Sequence, residues 1–578
     1  MNKLEVKDKL KNNKLPEGWV KTTLADPNFF KTIGSGIYPF KGTKFYLSTS
    51  SIEGTKIISI EEIINYKKRP SRANMQPRKG LVAFAKMKST LKVLLLNDEL
   101  EKNYILSTGF SLIELKLSPN YFFQYFLSFL FNHQKNIFAE GTTQEAISND
   151  DFEKIFIILP SSFLEQQKIA EILETVDETI EKTDAIIEKY KRIKQGLMQD
   201  LFTKGVTAFE FEKDKLVAAV KKIFDSGDHR FGREENLVSH LSRHLEKYFP
   251  EWTVDNEVEK NNERQRPDII VHKRETNNNL FAIEVKKNDN LNAIKEDIKK
   301  LENVMLGNYH YEDAIFIGFN IGNFREIFKL SNRINYILVS QNGETMVKPR
   351  IRKFKDSTPG NIPEGWKVAK LGEMATILLS NVDKKIFSQE IKVKLCNYLE
   401  VYKHDYIFKN INFSIGSVNI REYQKFRVDK GDVIITKDSE EFDDIAKSAY
   451  VEDEIEDLIC GYHLCLIKPK INITAGQYLA MVLWFEKYNK QFQNKANGIT
   501  RFGISKETIE SALLPLPSLP EQQRIALILS QMDEAIEEEQ NYKEKLERIK
   551  QGLMEDLLTG EVRTNHLIKE GVESVQKT

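Results

Sequence analysis

Residues 165–206 read EQQKIAEILETVDETIEKTDAIIEKYKRIKQGLMQDLFTKGV, and residues 521–562 repeat them as EQQRIALILSQMDEAIEEEQNYKEKLERIKQGLMEDLLTGEV. The two stretches align without a gap, and 24 of the 42 positions are identical. Identity of this length within one chain indicates that a structural unit has been duplicated. The duplication is therefore the first constraint on the fold.

Both copies carry apolar residues at spacings of three, four and seven, which predicts two long amphipathic helices. These residues are Ile169, Leu173, Val176, Ile180, Ile187, Tyr190, Leu197 and Leu201 in the first copy, and Ile525, Leu529, Met532, Ile536, Leu546, Ile549 and Leu553 in the second. A single apolar stripe needs a partner surface. We expect each helix to pair with the other copy; the alternative is that each packs only on its own globular unit.

The match continues upstream of the helices. GTTQEAIS (Gly141–Ser148) aligns with GITRFGIS (Gly498–Ser505), and LPEGWVKTTLAD (Leu15–Asp26) aligns with IPEGWKVAKLGE (Ile362–Glu373). Each repeated unit therefore spans roughly 190–200 residues. Between these anchors the two units diverge, which suggests one architecture that recognises two different targets.

Composition narrows the class of protein. The chain has 578 residues with 85 basic and 85 acidic side chains, so its overall charge does not identify a partner. The longest aromatic stretch, Tyr121–Phe131, is too short to span a bilayer, and we expect no membrane partner. The amino terminus lacks a secretory pattern and the chain has three cysteines, which favours a cytoplasmic protein. Cys460, His463 and Cys465 lack a fourth ligand for zinc, and we interpret the two cysteines as buried strand residues.

Basic residues concentrate in the variable interiors. Residues 1–150 contain 22 basic and 14 acidic side chains, a net charge of +8. Basic loops beside strands suit contacts with DNA phosphates and bases, although a solvated loop without a ligand is a common alternative. The predicted DNA-binding residues are Lys67, Lys68, Arg69, Arg72, Arg78, Lys79 and Lys86 in the first unit, and Arg421, Lys425, Arg427, Lys430 and Lys437 in the second.

The repeated PEGW opening, the GTTQ-type run and the EQQ…IKQGLM helix together resemble the specificity subunit of type I restriction-modification systems. The resemblance covers about 1–206 and 355–562. It implies two target-recognition domains that bind the two parts of a split site in double-stranded DNA. It further implies long helices that pair antiparallel and set the spacing between those parts. The implied partners are DNA adenine methyltransferase subunits and an ATP-dependent restriction subunit.

About 145 residues after the first helix have no counterpart in the second unit, and they contain RPDIIVHKRETNNNLFAIEVKK (Arg266–Lys287). Two apolar runs around a polar turn predict a β-hairpin. Asp268 begins the first strand, and the alternation of strand side chains puts Glu284 and Lys286 on one face of the second. Two carboxylates and a lysine can hold Mg²⁺ and polarise a water molecule. A preceding helix offers Glu234 or Glu235 as a further acid, and we select Glu235.

The P-D…E-x-K pattern, with a helix before and a helix and a strand after it, resembles the PD-(D/E)xK nuclease superfamily over about 210–340. That resemblance implies Mg²⁺ bound by Asp268 and Glu284, with Lys286 orienting the nucleophile or stabilising charge. The alternatives are an inactive DNA-holding module of the same fold and an ordinary exposed hairpin. The sequence has no G-x-x-x-x-G-K-[ST] loop and no N-P-P-[FY] tetrad, so we expect neither an ATPase nor a methyltransferase in this chain.

The sequence thus predicts an α+β chain. It has two repeated target-recognition domains of mixed α/β structure, each followed by a long helix of an antiparallel coiled coil, and an inserted α/β domain similar to PD-(D/E)xK nucleases. The expected bounds are 1–158 and 353–514 for the recognition domains, 159–206 and 515–562 for the helices, 207–352 for the insertion and 563–578 for a flexible tail. The leading hypothesis is a DNA-recognition subunit; the alternatives are a self-contained Mg²⁺-dependent endonuclease and a coiled-coil scaffold without sequence-specific DNA binding.

Overall fold

The computed structural model describes residues 15–63, 65–140, 145–227, 234–256, 267–274, 279–306, 311–383, 385–498 and 500–568. Gly141–Gln144 of the repeated motif and residues 569–578 of the expected tail lie outside them. The chain divides into two compact units: residues 1–190 with 535–578 form the first, and residues 191–534 form the second. None of the helices in the described ranges is long and apolar enough to cross a membrane.

The first repeat, residues 15–206, begins with short strands and ends in a 39-residue helix. Its elements are β1 (Trp19–Thr23), β2 (Phe30–Ile33), β3 (Lys44–Leu47), β4 (Ile52–Glu53), β5 (Lys56–Ile57), β6 (Glu61–Ile63), β7 (Ala73–Met75), β8 (Val82–Ala85), β9 (Val93–Leu95), α1 (Asp98–Asn103), β10 (Tyr104–Ser107), β11 (Phe110–Leu115), α2 (Pro119–Leu127), α3 (Phe129–Phe138), β12 (Phe156–Pro160) and α4 (Phe163–Leu201).

The insertion, residues 207–352, forms one six-stranded sheet in the order β13-β14-β15-β16-β17-β18 with helices around it. Its elements are α5 (Ala208–Ser226), α6 (Glu234–Tyr248), β13 (Thr253–Asn256), β14 (Ile269–His272), β15 (Asn279–Lys286), α7 (Leu291–Leu306), β16 (Tyr311–Phe319), α8 (Phe324–Phe328), β17 (Asn335–Val339) and β18 (Thr345–Lys348). The predicted hairpin is β14 and β15, which pair antiparallel, whereas β15 and β16 pair parallel.

The second repeat, residues 353–568, ends in a 41-residue helix. Its elements are β19 (Phe354–Lys355), β20 (Ile362–Pro363), β21 (Lys367–Lys370), α9 (Leu371–Met374), β22 (Ala375–Leu379), β23 (Ile391–Cys396), α10 (Tyr398–Lys403), β24 (Tyr406–Ile407), β25 (Ser414–Val418), α11 (Ile420–Phe426), β26 (Val433–Thr436), β27 (Asp438–Ser439), β28 (Ser448–Val451), β29 (Leu458–Cys460), β30 (Leu464–Pro469), α12 (Gly476–Trp484), α13 (Glu486–Gln493), β31 (Phe502–Gly503), α14 (Lys506–Glu510), β32 (Leu513–Leu516) and α15 (Leu519–Thr559).

The strand topology of the two repeats matches where their sequences diverge. The order β2-β11-β8-β9 in the first repeat corresponds to β22-β30-β26-β28 in the second, and the β1–β12 pair corresponds to β21–β32. A parallel pair follows in each repeat, β3 with β10 and β23 with β29. Among the described strands, β24 beside β28 and β7 beside β10 have no equivalent in the other repeat. The duplication therefore extends into the variable interiors but does not cover every strand of them.

Ion pairs fix the directions of the long helices. In the first unit Asp177 pairs with Lys550 at 2.6 Å and Asp184 with Lys543 at 2.7 Å, so the partner number falls as the number on α4 rises. The segments of α4 and α15 in this unit therefore run in opposite directions. In the second unit Lys194 of α4 pairs with Asp533 of α15.

Each long helix is also part of a globular core. In the first unit Leu557 and Leu558 of α15 share a core with Tyr121 and Phe126 of α2. The second unit has the equivalent core, in which Leu201 and Phe202 near the end of α4 pack with residues of α12 and α13 such as Tyr478 and Tyr488. Burial of a large apolar side chain contributes roughly 1.5–3 kcal/mol, so these contacts hold the helix ends to the sheets.

The insertion is tied to the second repeat within the second unit. Glu312 at the start of β16 forms a 2.7 Å ion pair with Arg524 of α15. Its neighbour Asp313, fully buried, accepts the backbone N–H of Phe209 at 2.9 Å and pairs with Arg350 at 2.5 Å. Glu312 thus joins the sheet of the insertion to α15. Asp313 joins that sheet to the first helix of the insertion and to the segment that follows its last strand.

The start of the expected flexible tail is held in place. Arg563 binds the Glu165 carboxylate with two nitrogens, at 2.7 and 3.0 Å, and Thr564 is buried. A bidentate guanidinium–carboxylate contact orders both side chains, so the first residues of the expected flexible tail make ordered contacts. Residues 569–578 lie outside the described part of the chain.

Candidate functional site

Asp268 and Glu284, the predicted metal ligands, lie close together in the insertion. Asp268 precedes β14, and its Oδ2 accepts a hydrogen bond from the backbone N–H of Val285 at 2.7 Å. Glu284 on β15 faces α7, where Lys300 Nζ lies 2.6 Å from Glu284 Oε1. Glu284 is 2% exposed, so this carboxyl group is almost entirely removed from water.

Lys286 lies on the same face of β15, as the alternation of strand side chains predicts. Its Nζ is 3.0 Å from Glu234 Oε1 on α6 and 3.2 Å from Asp297 Oδ2 on α7. Burial opposes the charge on Lys286, but these two carboxylates outweigh it and raise the pKa of the lysine. The ammonium group is therefore charged and held between two helices.

The α6 carboxylate that contacts Lys286 is Glu234, not the predicted Glu235. Glu234 Oε2 also accepts the backbone N–H of Lys287 at 3.4 Å, and Glu235 is exposed on the helix. Adjacent helical residues point about 100° apart, so one of the two can face β15. The choice between Glu234 and Glu235 depends on how α6 is rotated about its axis, which the sequence pattern does not give.

The environment of the two carboxyl groups favours their neutral forms. Burial raises the pKa of Asp268. Burial, followed by the nearby charge of Asp268, raises the pKa of Glu284 to about 9, although Lys300 opposes the shift. Two buried carboxyl groups at one place repel each other when both are ionised. A cation bound between them would remove that repulsion.

The donor set fits Mg²⁺ better than a softer metal. Mg²⁺ is commonly held by one or two carboxylates and completes its shell with water or phosphate oxygens. In the described ranges of the chain, no three or more His, Cys, Asp or Glu side chains are arranged to hold a metal. The three cysteines, Cys396, Cys460 and Cys465, are buried free thiols, and Cys460 and Cys465 lie on β29 and β30, in agreement with their interpretation as buried strand residues.

The predicted basic residues of the first repeat fall into two groups. Lys67, Lys68, Arg72 and Arg78 are exposed, and they form no ion pair with any residue that the structure describes. The other three make contacts within the domain. Arg69 donates to the carbonyls of Tyr66 and Ala73, Lys79 pairs with Asp98 at 2.7 Å, and Lys86 is half-buried. The exposed group is the part of this surface that is free for phosphate contacts.

The predicted basic residues of the second repeat are largely paired. Arg427 contacts Asp429 and Glu454, Lys430 lies 3.8 Å from Glu452, and Lys437 pairs with Asp438 at 2.7 Å. Arg421 and Lys425 are exposed on α11. The second repeat therefore presents less free positive charge than its count of basic residues suggests.

The turn after β8 in the first repeat is held by a buried lysine that the sequence analysis did not single out. Lys135 on α3 is 1% exposed, and its Nζ donates to the carbonyls of Ala85 and Thr90. Burial lowers its pKa to about 8. The neighbouring Asn136 accepts the backbone N–H of Ser89 at 2.9 Å. Together they fix the turn at residues 86–92, which carries three lysines.

Residues 20–192 and 363–548 match the family model described as "Type I restriction modification DNA specificity domain". Two curated proteins of Methanocaldococcus jannaschii are 26% identical to the chain. They are a putative type I restriction enzyme MjaX specificity subunit, over 36% of this chain and 48% of that protein, and the type I restriction enzyme MjaVIII specificity subunit, over 37% and 51%. The chain thus spans about half the length of the curated relatives it matches. The solved type I restriction-modification S subunit from M. genitalium aligns at 14% identity with a TM-score of 0.41, over 95% of this chain and 97% of that one.

The raised pKa of Glu284 predicts a pH-dependent cost to stability. At a pH below about 4.5, the ordinary pKa of a glutamate, Glu284 is protonated in both the folded and the unfolded protein. As the pH rises from there toward about 9, Glu284 ionises only in the unfolded protein, so the free energy of unfolding falls. Glu284→Gln is therefore expected to raise the melting temperature of the full chain by a few degrees at about pH 8, and by less at about pH 5, in the presence of a chelator.

Glu235→Gln, which changes an exposed carboxylate on α6, is the matched control and should shift the melting temperature little at either pH. An equal effect of Glu284→Gln at both pH values would contradict the assigned pKa direction.

Proposed function

The chain belongs to the family of type I restriction-modification DNA specificity domains, and we propose that it recognises a two-part DNA sequence, one part through each repeat. The observation that carries this proposal is the duplicated strand topology with different side chains in the interiors. Two domains of one architecture and different surfaces suit the recognition of two different short sequences. The long helices, as an antiparallel coiled coil, would hold the two domains at a fixed separation, as dimeric DNA-binding proteins do by symmetry.

DNA contacts by the first repeat begin with its exposed basic residues. Lys67, Lys68 and Arg72 lie in one loop segment between β6 and β7, and their charges are free for phosphate oxygens. Phosphate contacts supply affinity and position, whereas sequence is recognised at base edges. The neighbouring turn at 86–92, fixed by Lys135 and Asn136, is the element that we assign to base contacts in this domain.

Selection from randomised duplex DNA by the purified full-length chain tests the proposal. We expect two short conserved sequences separated by a spacer of constant length and free composition. Changing Lys67, Lys68 and Arg72 together to Ala should weaken binding of the selected DNA. It should also reduce the salt dependence of binding by about one unit of slope for each phosphate that the variant no longer neutralises.

Lys79→Ala is the matched control, because Lys79 is already neutralised by Asp98. Selection of no motif, or of one undivided motif, would contradict two-part recognition. An unchanged affinity and salt slope in the triple variant would favour a scaffold that does not bind DNA.

The partners proposed are methyltransferase subunits, which would dock on the long helices once in each unit. Ile549 in the first unit and Ile193 in the second occupy the same position of the repeat, and they are 43% and 40% exposed. Exposed apolar residues at matched positions are suited to the same partner surface. Two copies of one partner are therefore expected for each chain.

Ile193→Glu and Ile549→Glu are each expected to reduce the number of methyltransferase subunits from two to one per chain, because a buried charge would be introduced into one docking surface. Native mass measurement of the co-expressed complex gives this number. Lys189→Glu and Lys545→Glu, at exposed positions of the same two helices, serve as controls. Two bound subunits in both isoleucine variants would exclude these docking positions.

A second function, Mg²⁺-dependent DNA cleavage, is proposed for the insertion. Its support is the buried pair Asp268 and Glu284 beside Lys286, on a hairpin preceded by α6 and followed by α7 and β16. The two carboxylates would hold Mg²⁺, which supplies Lewis-acid polarisation and an activated water. Lys286, positioned by Glu234 and Asp297, would stabilise the negative charge that develops on the phosphate. Lys300, 2.6 Å from Glu284, opposes the rise in the pKa of that carboxyl group and so favours the ionised form that would bind the cation.

Lys286→Ala and Glu284→Ala should abolish Mg²⁺-dependent cleavage in the assembled complex while leaving DNA binding by the repeats intact. A cleavage assay on DNA carrying the selected site, with and without ATP, makes the measurement, and Glu235→Gln is the active control. Cleavage at the wild-type rate in both alanine variants would assign the cut to a partner and leave the insertion as a holding or docking module.

A further inference from the structure

The two repeats share a backbone frame at the end of a central strand. In the first repeat the N–H of Lys86 donates to the carbonyl of Gly109 at 2.9 Å, and the N–H of Ile147 donates to the carbonyl of Lys86 at 3.0 Å. In the second repeat Lys437 donates to His463, and Ile504 donates to Lys437, both at 3.0 Å. The same frame thus pairs position 86 with 437, 109 with 463, and 147 with 504.

The side chains carried by this frame differ between the repeats. Met87 bridges Ala146 in the first repeat, whereas Asp438 pairs with Gly503 in the second. A β-carbon on Gly503 would lie 2.8 Å from Asp438 Oδ1, so the glycine leaves room for the carboxylate. The first repeat has a methionine and a glycine where the second has Asp438 and His463. A shared frame with unlike side chains is where a difference in DNA sequence preference can be encoded.

Four polar side chains of the second repeat form a chain of contacts at this place. Asp438 Oδ2 accepts from Lys437 Nζ at 2.7 Å and lies 3.1 Å from His463 Nδ1. Arg501 Nη2 lies 3.0 Å from both ring nitrogens of His463, so the guanidinium rests against the imidazole. A proton on Nδ1 would be donated to Asp438 and would leave Nε2 to accept from Arg501.

The exposure of these four side chains increases from Lys437 to Arg501. The side chain of Lys437 is 13% exposed, those of Asp438 and His463 are about one-quarter exposed, and Arg501 is exposed. His463 also has a φ of +71°, a left-handed conformation that is unfavourable for a residue with a β-carbon. Such backbone conformations persist where surrounding contacts fix them, and they concentrate at functional sites. The less exposed side chains of Lys437, Asp438 and His463 thus hold the exposed guanidinium of Arg501 in place.

We propose that Arg501 recognises a guanine in the part of the DNA site bound by the second repeat, with His463, Asp438 and Lys437 as its positioning residues. This inference rests on the proposed DNA recognition by that repeat. The guanidinium fork matches the O6 and N7 acceptors of guanine in the major groove, and no other base presents both. Holding the fork against His463 before binding reduces the conformational entropy that recognition costs.

Selection from randomised duplex DNA by full-length wild-type and variant chains tests the assignment. Arg501→Gln introduces the residue that the first repeat carries at the aligned position, Gln144. It is expected to lose the preference for guanine at one position by roughly 10- to 100-fold, while the part of the motif bound by the first repeat stays unchanged. Arg325→Gln, an exposed arginine of the insertion, should select the wild-type motif.

His463→Gly provides a second variant, because glycine adopts a φ of +71° without strain and the fold should be retained. It should weaken the same guanine preference, by less than Arg501→Gln, and thermal melting verifies that both variants are folded. An unchanged motif in both variants overturns the proposal, and so does a uniform loss of affinity without a change of motif, which would assign Arg501 to a phosphate. A wild-type chain that selects no motif overturns the proposed recognition function itself, and this inference with it.

Discussion

One ion pair between the two long helices is formed twice. It joins Asp177 to Lys550 in the first unit and Asp533 to Lys194 in the second, and the repeat aligns 177 with 533 and 194 with 550. Each pair joins the two long helices, and each carboxylate also accepts a hydrogen bond from its own repeat, from Gln124 in one case and from Tyr406 in the other, both at 2.8 Å. These side chains are 15–32% exposed, so loss of one partner would strand a partly buried charge. One contact therefore links the register of the two helices to a side chain of the adjoining recognition domain, and the repeat keeps its charged residues in both copies while the interiors diverge.

The sequence predicts features of the fold that depend on period and repetition. The two helices follow from apolar spacing, and the β14–β15 hairpin follows from two apolar runs around a polar turn. For the expected flexible tail, the sequence does not show that Arg563 contacts Glu165, a residue nearly 400 positions earlier in the chain. The choice between Glu234 and Glu235 likewise required the rotation of α6 about its axis. In each case the missing information is a contact between distant parts of the sequence.

The charges of the basic residues proposed to bind DNA show the same limit. In the sequence, Lys430 and Arg427 look like Lys67 and Lys68, because all four are basic residues of variable segments. In the structure, carboxylates such as Glu452 and Asp429 pair with Lys430 and Arg427. A basic residue contributes to phosphate binding according to its free charge and not according to its count. The equivalence of Gly109 and His463 was also invisible in the sequence, because only hydrogen bonds from Lys86 and Lys437 align two loops of unlike length. The sequence drew attention to His463 only as a candidate zinc ligand beside Cys460 and Cys465, whereas the topology places it beside Asp438 and Arg501.

The insertion lies between the two repeats in the sequence and is held to the second repeat by side-chain contacts. Glu312 and Asp313 lie at the start of β16, the strand beside β15. Glu312 pairs with Arg524 and ties this sheet to α15, the helix that supports the second repeat. Asp313 holds Arg350 and the N–H of Phe209 within the insertion. Burial raises the pKa of Glu312, and Arg524 opposes the shift, so removing the arginine would leave a buried acid without its counter-charge. Asp268, Glu284 and Lys286 thus lie on a sheet that the ion pair of Glu312 with Arg524 joins to the second repeat. If the proposed cleavage and DNA recognition both occur, a site held in this way would act at a defined distance from the DNA bound by the second repeat, which a domain on a flexible linker could not do.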